Sequence, residues 1–264
     1  MSTSTDDRRA ATPPSAPLVA PTPSFLVRSG TFFFRYRDAV SPGVFFLLLL
    51  LTRPRLPSGS RKLDLWLDVL GIVVSLCGQL LRIAVVGYAY IIRGGKGGKV
   101  YAEDLVTGGL FATSRNPLYL GNLLIYFGLF LIWNSPWMHA IGVPFFLFLY
   151  VSIVAAEEAF LSQKFGTAYD AYCRDVRRWL PDLRRLGPAL EGMGFNWRRV
   201  LLKEYGTTAA WLLTTGLLLV AETAYFSSLR AESARVGAVG AFMLAVITLW
   251  GVARWLKLSR RLRA

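Results

Sequence analysis

Two polar clusters with the residue types of a reactive site stand out in an otherwise apolar chain. The first is the run 105–121, Leu-Val-Thr-Gly-Gly-Leu-Phe-Ala-Thr-Ser-Arg-Asn-Pro-Leu-Tyr-Leu-Gly, placed directly before an apolar stretch. Pro117 suits the first turn of a helix, where its missing N–H would be unpaired anyway. Ser114 or Asn116 could cap that helix, leaving backbone amides at an N-terminus that favours carboxylate groups. The second cluster opens at Glu157-Glu158, continues through Phe165-Gly166-Thr167-Ala168-Tyr169, and reaches Tyr172, Arg177, Arg178 and Pro181. Two apolar segments, about 118–134 and 137–160, lie between the clusters and are separated only by Asn134-Ser135-Pro136, the pattern of a tight helical hairpin. Such a hairpin returns both clusters to one membrane surface, where acidic, aromatic and guanidinium groups share a pocket.

The elements that must position these groups follow from composition. The chain has 264 residues, of which 54% are hydrophobic and only 17% charged, with runs such as Val44 to Leu51 that a soluble core of this size would not need. A helix crossing ~30 Å of hydrocarbon takes roughly 20 mainly apolar residues, and every backbone amide must bond within the segment. The stretches 63–92, 118–134, 137–160, 207–226 and 236–256 meet that test, while 39–52 is short, begins near Pro42 and Gly43, and reads as a tilted or partial crossing. The expected fold is all-α, an integral membrane bundle of five to six transmembrane helices with a cytoplasm-facing cofactor pocket. Residues 1 to about 28 have the Ser, Thr, Pro and Ala-rich composition of a disordered tail. The flexible unit is taken to 38, followed by a core over 39–206 and a two-helix extension over 207–264.

The formal charge of +14 lies between and beside apolar segments, so it reads as membrane topology and attraction to anionic headgroups. No nucleic-acid-binding motif accompanies it. Six crossings with both ends inside place the basic stretches 93–117, 161–206 and 254–264, the last including Arg260, Arg261 and Arg263, on the cytoplasmic side. The misfit is the 53–63 loop, which carries Arg53, Arg55, Arg61 and Lys62 yet falls outside. Cys77 and Cys173 have no metal or redox spacing, and the single histidine, His139, gives neither a zinc cluster nor a triad, so no metal site is expected. The N-terminus lacks the basic-then-apolar pattern of a cleavable signal, so the first helix is expected to direct insertion. The Gly-rich run Arg93 to Lys99 lacks the Ser or Thr after a Gly-Lys pair that a phosphate loop needs. Arg82, with Gln79 one turn away, is an intramembrane cation, either functional or engaged in a helix–helix hydrogen bond. Glu222 reads as interfacial, His139 as structural.

Residues 105–121 with 157–181 resemble the isoprenylcysteine carboxyl methyltransferase and phospholipid methyltransferase superfamily. Its signature is a Gly-containing lead-in, Arg-His-Pro-x-Tyr-x-Gly, a hairpin, Glu-Glu, then Phe-Gly-x-x-Tyr-x-x-Tyr and a basic residue before a Pro. The likeness covers roughly 65–181. It implies methyl transfer from S-adenosylmethionine to a lipid, isoprenoid or small hydrophobic acceptor. Gly108, Gly109, Leu110, Phe111, Arg115, Asn116, Tyr119 and Leu120 would hold the cofactor, with Glu158 and Tyr169 closing its site. Arg115 or Arg178 would position a carboxylate acceptor, and Glu158 would be the base for an amine or thiol. Two departures stand out: Asn116 replaces a common His and cannot titrate, and Asp175 replaces the Lys or Arg before Val176. The membrane in question is expected to be a bacterial inner membrane, from the general style of the chain. The competing readings are a nicotinamide-dependent sterol or steroid reductase, which shares an Arg-His-Pro-Asn-Tyr signature but has Asn where this chain has Leu118, and a non-catalytic scaffold or transport component that keeps the fold.

Overall fold

The computed structural model describes residues 23–88 and 100–259. The 1–22 part of the expected tail, the Gly-rich run Arg93 to Lys99, and the terminal Arg260, Arg261 and Arg263 lie outside the described residues. Among the described residues the chain is all-helical: α1 Phe25–Leu51, α2 Arg61–Tyr88, α3 Pro117–Trp133, α4 Val143–Phe165, α5 Thr167–Asp175, α6 Leu186–Leu190, α7 Trp197–Phe226 and α8 Ser233–Leu258. Among the described residues four stretches are long and apolar enough to cross a membrane, namely α2, α4 with the π-turn before it (Met138–Phe165), α7 and α8; α3 is a shorter apolar helix of 17 residues.

The six long helices alternate in direction between two ends of the bundle. At one end the 105–116 segment meets the chain after α5, where the Arg115 amide donates to the Arg177 carbonyl and the Asp182 amide to the Thr113 carbonyl, both at 2.9 Å. At the other end sits the hairpin tip. Asn134 closes α3 in the left-handed region (φ 38°, ψ 49°), and its side-chain amide donates to the Arg55 carbonyl at 2.7 Å. His139 lies here, with Nδ1 2.8 Å from the Ser135 carbonyl, in keeping with a structural role.

α1 departs from expectation twice. It begins at Phe25, so residues 25–38 are helix and not flexible tail, and it runs unbroken through Pro42. Its 27 residues span roughly 40 Å at 1.5 Å each, and its end is tied to the hairpin tip by the Trp133 indole donating to Thr52 Oγ1 at 3.0 Å. The segment read as a tilted or partial crossing is the apolar half of this longer helix, which is not among the four stretches apolar enough to cross, and the 53–60 loop does lie at the tip end. Part of the charge there is met internally, since Arg61 pairs with Asp64 at 2.5 Å.

α2 and α3 pack along a seam of small residues. Gly71 faces Gly128 and Gly78 faces Gly121, antiparallel and two turns apart, as suits helices whose association in lipid depends on close backbone approach. A Cβ on Gly78 would sit 2.5 Å from the Gly121 carbonyl oxygen and 2.8 Å from Leu124 Cβ. We expect Gly78→Ala to cost about 1–3 kcal/mol, the range of an overpacked core. Unfolding of the detergent-solubilised protein would measure it, against Gly43→Ala, where an added Cβ meets nothing within 4 Å.

Inside the bundle, α2 turns a polar face inward. Asp64, Asp68, Gly71, Ser75, Gly78 and Gln79 are buried, while Leu65, Trp66, Val69, Leu70, Val73 and Leu76 are exposed. Arg82 belongs to this stripe. Its Nη2 and Nε reach the two carboxylate oxygens of Glu204 on α7 at 2.8 and 3.0 Å, and Nη1 donates to Asn122 of α3. Gln79 donates to Thr208 at 2.8 Å. Of the two readings of Arg82, the structure fits the helix–helix contact. The charge is met by a carboxylate from the first turns of α7, which begins ten residues before the expected 207 because its basic and acidic residues look like loop in sequence.

Candidate active site

The site forms where the α3–α4 hairpin closes on itself. Before α3, a 3-10 turn over Gly109–Ala112 is possible because Gly109 takes a φ of +60°, a left-handed conformation that glycine adopts without strain. Leu110 and Phe111 (1% exposed) then pack with Val85 of α2, so their side chains form a small core and leave the backbone to face the site. Tyr172 of α5 donates its hydroxyl to the Phe111 carbonyl at 2.8 Å.

The cap expected at the start of α3 is built differently. Asn116 occupies the N-cap position but makes no side-chain cap bond; its Nδ2 donates to the Arg178 carbonyl at 3.1 Å. Ser114 Oγ donates to the Trp179 carbonyl at 2.9 Å. Both side chains are drawn away from the helix amides by the carbonyls of the 177–179 segment, and so join the two polar clusters. Asn116 is 3% exposed and acts as a donor to the backbone, a task that needs no titratable group.

Three charged residues converge at this junction. Glu158, on the last turns of α4, lies between two guanidiniums, with Oε2 2.5 Å from Arg178 Nη2 and Oε1 3.3 Å from Arg115 Nη1. Arg115 Nη1 also reaches the free Cys173 thiol at 2.6 Å. Burial works against the Arg115 charge, but Glu158, Cys173 and Tyr169 together outweigh it and the guanidinium pKa is raised. Tyr169 is 4% exposed, and its hydroxyl pKa is raised, first by burial and then by the neighbouring Glu158 charge, so it stays a neutral phenol.

Of the residues expected at the site, the structure brings Arg115, Glu158, Arg178 and Tyr169 together. Gly108, Gly109, Asn116 and Leu120 frame the approach to α3, with the Leu120 amide bonded to the Asn116 carbonyl at 3.1 Å. Tyr119 points elsewhere: its hydroxyl donates to Glu157 at 2.7 Å and lies 3.3 Å from Arg37 Nη1 of α1. Glu157, 6% exposed, opens the second polar cluster but was given no role of its own, and Arg37 was not anticipated. Arg37 fell in the segment read as tail, although its place three residues after the buried Phe34 on a helical repeat was a usable signal. Next to the ion-paired cluster lies a cavity of about 370 Å³ lined by Thr113, Arg115, Arg174, Arg177, Asp182 and Arg185 among others. Arg115 borders both.

Comparison with known proteins gives one match. Residues 66–168 match the phospholipid methyltransferase family. No curated protein and no solved structure matches the chain. The matched segment runs from α2 through the hairpin to the start of α5, and so contains Arg115, Asn116, Tyr119 and Glu158 but stops just short of Tyr169 and Arg178. Over this segment, well under half of its length, the chain is similar to the phospholipid methyltransferases.

Proposed function

We propose that the protein transfers a methyl group from S-adenosylmethionine to a lipid, isoprenoid or small hydrophobic acceptor at the surface of the membrane, which we take to be a bacterial inner membrane. The observation that carries this reading is the convergence of Arg115, Glu158 and Arg178 at the open end of the hairpin, inside or adjoining the matched segment.

The residues present fit such a donor. Arg115 Nε, Arg178 Nε and Glu158 Oε1 are buried side-chain atoms without a hydrogen-bond partner. A guanidinium pair with a carboxylate between them can take up an amino-acid zwitterion, guanidinium to carboxylate and carboxylate to ammonium, through charge-assisted hydrogen bonds. S-adenosylmethionine supplies a sulfonium methyl that is already electrophilic, so alignment and exclusion of water are the protein's main tasks.

The chain's own groups divide these tasks. Arg115 and Arg178 bind and orient anionic groups, and Glu158 holds the two guanidiniums in place. Tyr169 and Tyr172 add buried aromatic surface that excludes water. With Glu158 flanked by two guanidiniums, the arrangement suits an acceptor that needs no strong base, such as a carboxylate. The Arg-lined cavity beside Arg115 suits an anionic head whose apolar remainder reaches the bilayer. Arg174, Arg177 and Arg178 together replace the charge absent at Asp175.

Calorimetric titration of the purified protein with S-adenosylmethionine and, separately, with reduced nicotinamide cofactor tests the reading. We expect saturable binding of the first alone, and transfer of a radiolabelled methyl group into a lipid extract. Binding of the nicotinamide cofactor alone would favour a sterol or steroid-type reductase. Binding of neither would leave a scaffold or transport component.

A further inference from the structure

At the end of the bundle opposite the Arg115–Glu158 pair, α2 and α7 bury a second group of charges. Asp64 and Asp68 lie one turn apart on the inward face of α2, and Glu222 lies on the last turn but one of α7. Asp64 is 1%, Asp68 4% and Glu222 0% exposed. Glu222 is thus not the interfacial residue its position near a helix end suggested; the last turns of α7 lie against α2, which turns it inward. One carboxylate oxygen from each of the three residues lies within 4.8 Å of the other two.

The basic side chains around this cluster do not satisfy it. Arg61 takes one Asp64 oxygen at 2.5 Å. Arg235 approaches Asp68 Oδ2 only to 3.6 Å, too far for a hydrogen bond. Asp64 Oδ1, both Asp68 oxygens and both Glu222 oxygens are buried without a hydrogen-bond donor from any other residue, and Asp68 and Glu222 lie close enough to hydrogen-bond each other when one of them is protonated. With all three carboxyls ionised, two guanidiniums would leave a net negative charge in a site shielded from water, a costly arrangement unless a proton or a cation compensates it. A proton shared between two carboxylates would satisfy two of the five oxygens. A hard divalent cation, which takes six or more oxygen ligands, could draw on at least one oxygen from each of the three residues.

We propose that Asp64, Asp68 and Glu222 form a binding site for a hard divalent cation of the Mg²⁺, Ca²⁺ or Mn²⁺ class, which fastens α7 to α2. The absence of His and Cys, which argued against a metal in sequence, is what such an ion requires, since it prefers carboxylate oxygen. Glu222 comes from outside the matched segment 66–168, so the ion would tie the C-terminal extension to the methyltransferase domain. Arg235, at the start of α8 and partly exposed, is the cation's competitor for Asp68. The site is separate from the methyl-transfer reading and stands or falls without it.

The test uses the full chain in detergent, stripped with EDTA and titrated separately with MgCl₂, CaCl₂ and MnCl₂ by calorimetry, with thermal unfolding in parallel. We expect at least one of the three ions to bind once per chain and raise Tm. Binding should weaken at least tenfold in Asp68→Asn and Glu222→Gln and strengthen in Arg235→Gln, an opposite response that a merely structural role for these residues would not give. If Glu222→Gln does not fold, Asp68→Asn and Arg235→Gln decide the matter. The proposal is overturned if the wild-type chain binds none of the three ions, or if binding is unchanged in Asp68→Asn and Arg235→Gln. A Glu222→Gln chain that is more stable than wild type and indifferent to all three ions would assign the cluster to a shared proton instead.

Discussion

Glu158→Ala and Arg115→Ala are each expected to weaken binding of S-adenosylmethionine by about 100-fold or more while leaving helix content and membrane insertion intact. The magnitude follows from the contacts. A hydrogen bond to a charged group contributes about 1.5–3 kcal/mol, and about 1.4 kcal/mol is tenfold in affinity. Removing Glu158 deletes a partner for the donor and also leaves Arg115 and Arg178, now held 3.3 and 2.5 Å from the same carboxylate, facing one another as like charges. Removing Arg115 deletes the guanidinium that borders both the ion-paired cluster and the adjacent cavity. Neither residue belongs to the α2–α3 seam, so circular dichroism and detergent extraction should match wild type. Calorimetry reads the affinity; wild-type affinity in both variants would remove the assignment of the site.

The second large effect concerns Glu204. Glu204→Ala should destabilise the protein by about 3–5 kcal/mol, the cost of breaking a buried pair and stranding one charge. Arg82 would keep Asn122 but lose both carboxylate contacts. The companion double variant, Arg82→Leu with Glu204→Leu, should recover much of that loss, because replacing both members of a buried pair with apolar groups is often close to neutral. Unfolding of the solubilised protein would compare the two. Equal losses in the single and double variants would mean the pair does not act as a unit.

The hairpin, its tip at Asn134 to Pro136 and α8 were legible because a bilayer imposes a simple rule on length and apolarity, and those segments obey it. The rule failed where charge is buried. Arg198, Arg199, Lys203 and Glu204 look like loop, yet Glu204 turns inward to Arg82 and α7 starts at Trp197. Arg35, Arg37 and Asp38 look like tail, yet α1 carries them as helix, and Arg37 reaches Tyr119.

At the site, the order of the two polar clusters placed Arg115 and Glu158 in one pocket, but not their direct ion pair. The roles of Ser114 and Asn116 did not, since nothing local says that the Arg178 and Trp179 carbonyls would compete with the helix amides. The inward stripe of α2 could have been read in full. Asp64, Asp68, Gly71, Ser75, Gln79 and Arg82 recur at three- and four-residue intervals, and a helix in lipid turns such a face toward its neighbours. What the stripe would meet on α7 depends on packing between segments far apart in the chain, which periodicity cannot supply.

The separation of Arg82 from Glu204 also bears on how the protein is made. The two residues are 122 positions apart, so at roughly 5–20 residues per second a ribosome needs on the order of 6–24 s to deliver the carboxylate after the guanidinium. Throughout that interval Arg82 lacks the carboxylate that meets its charge in the folded protein. Only Asn122, arriving with α3, shelters it. Biogenesis is therefore most exposed to failure between synthesis of α3 and synthesis of α7, and a quality-control protease acting on this protein would find its substrate in that window.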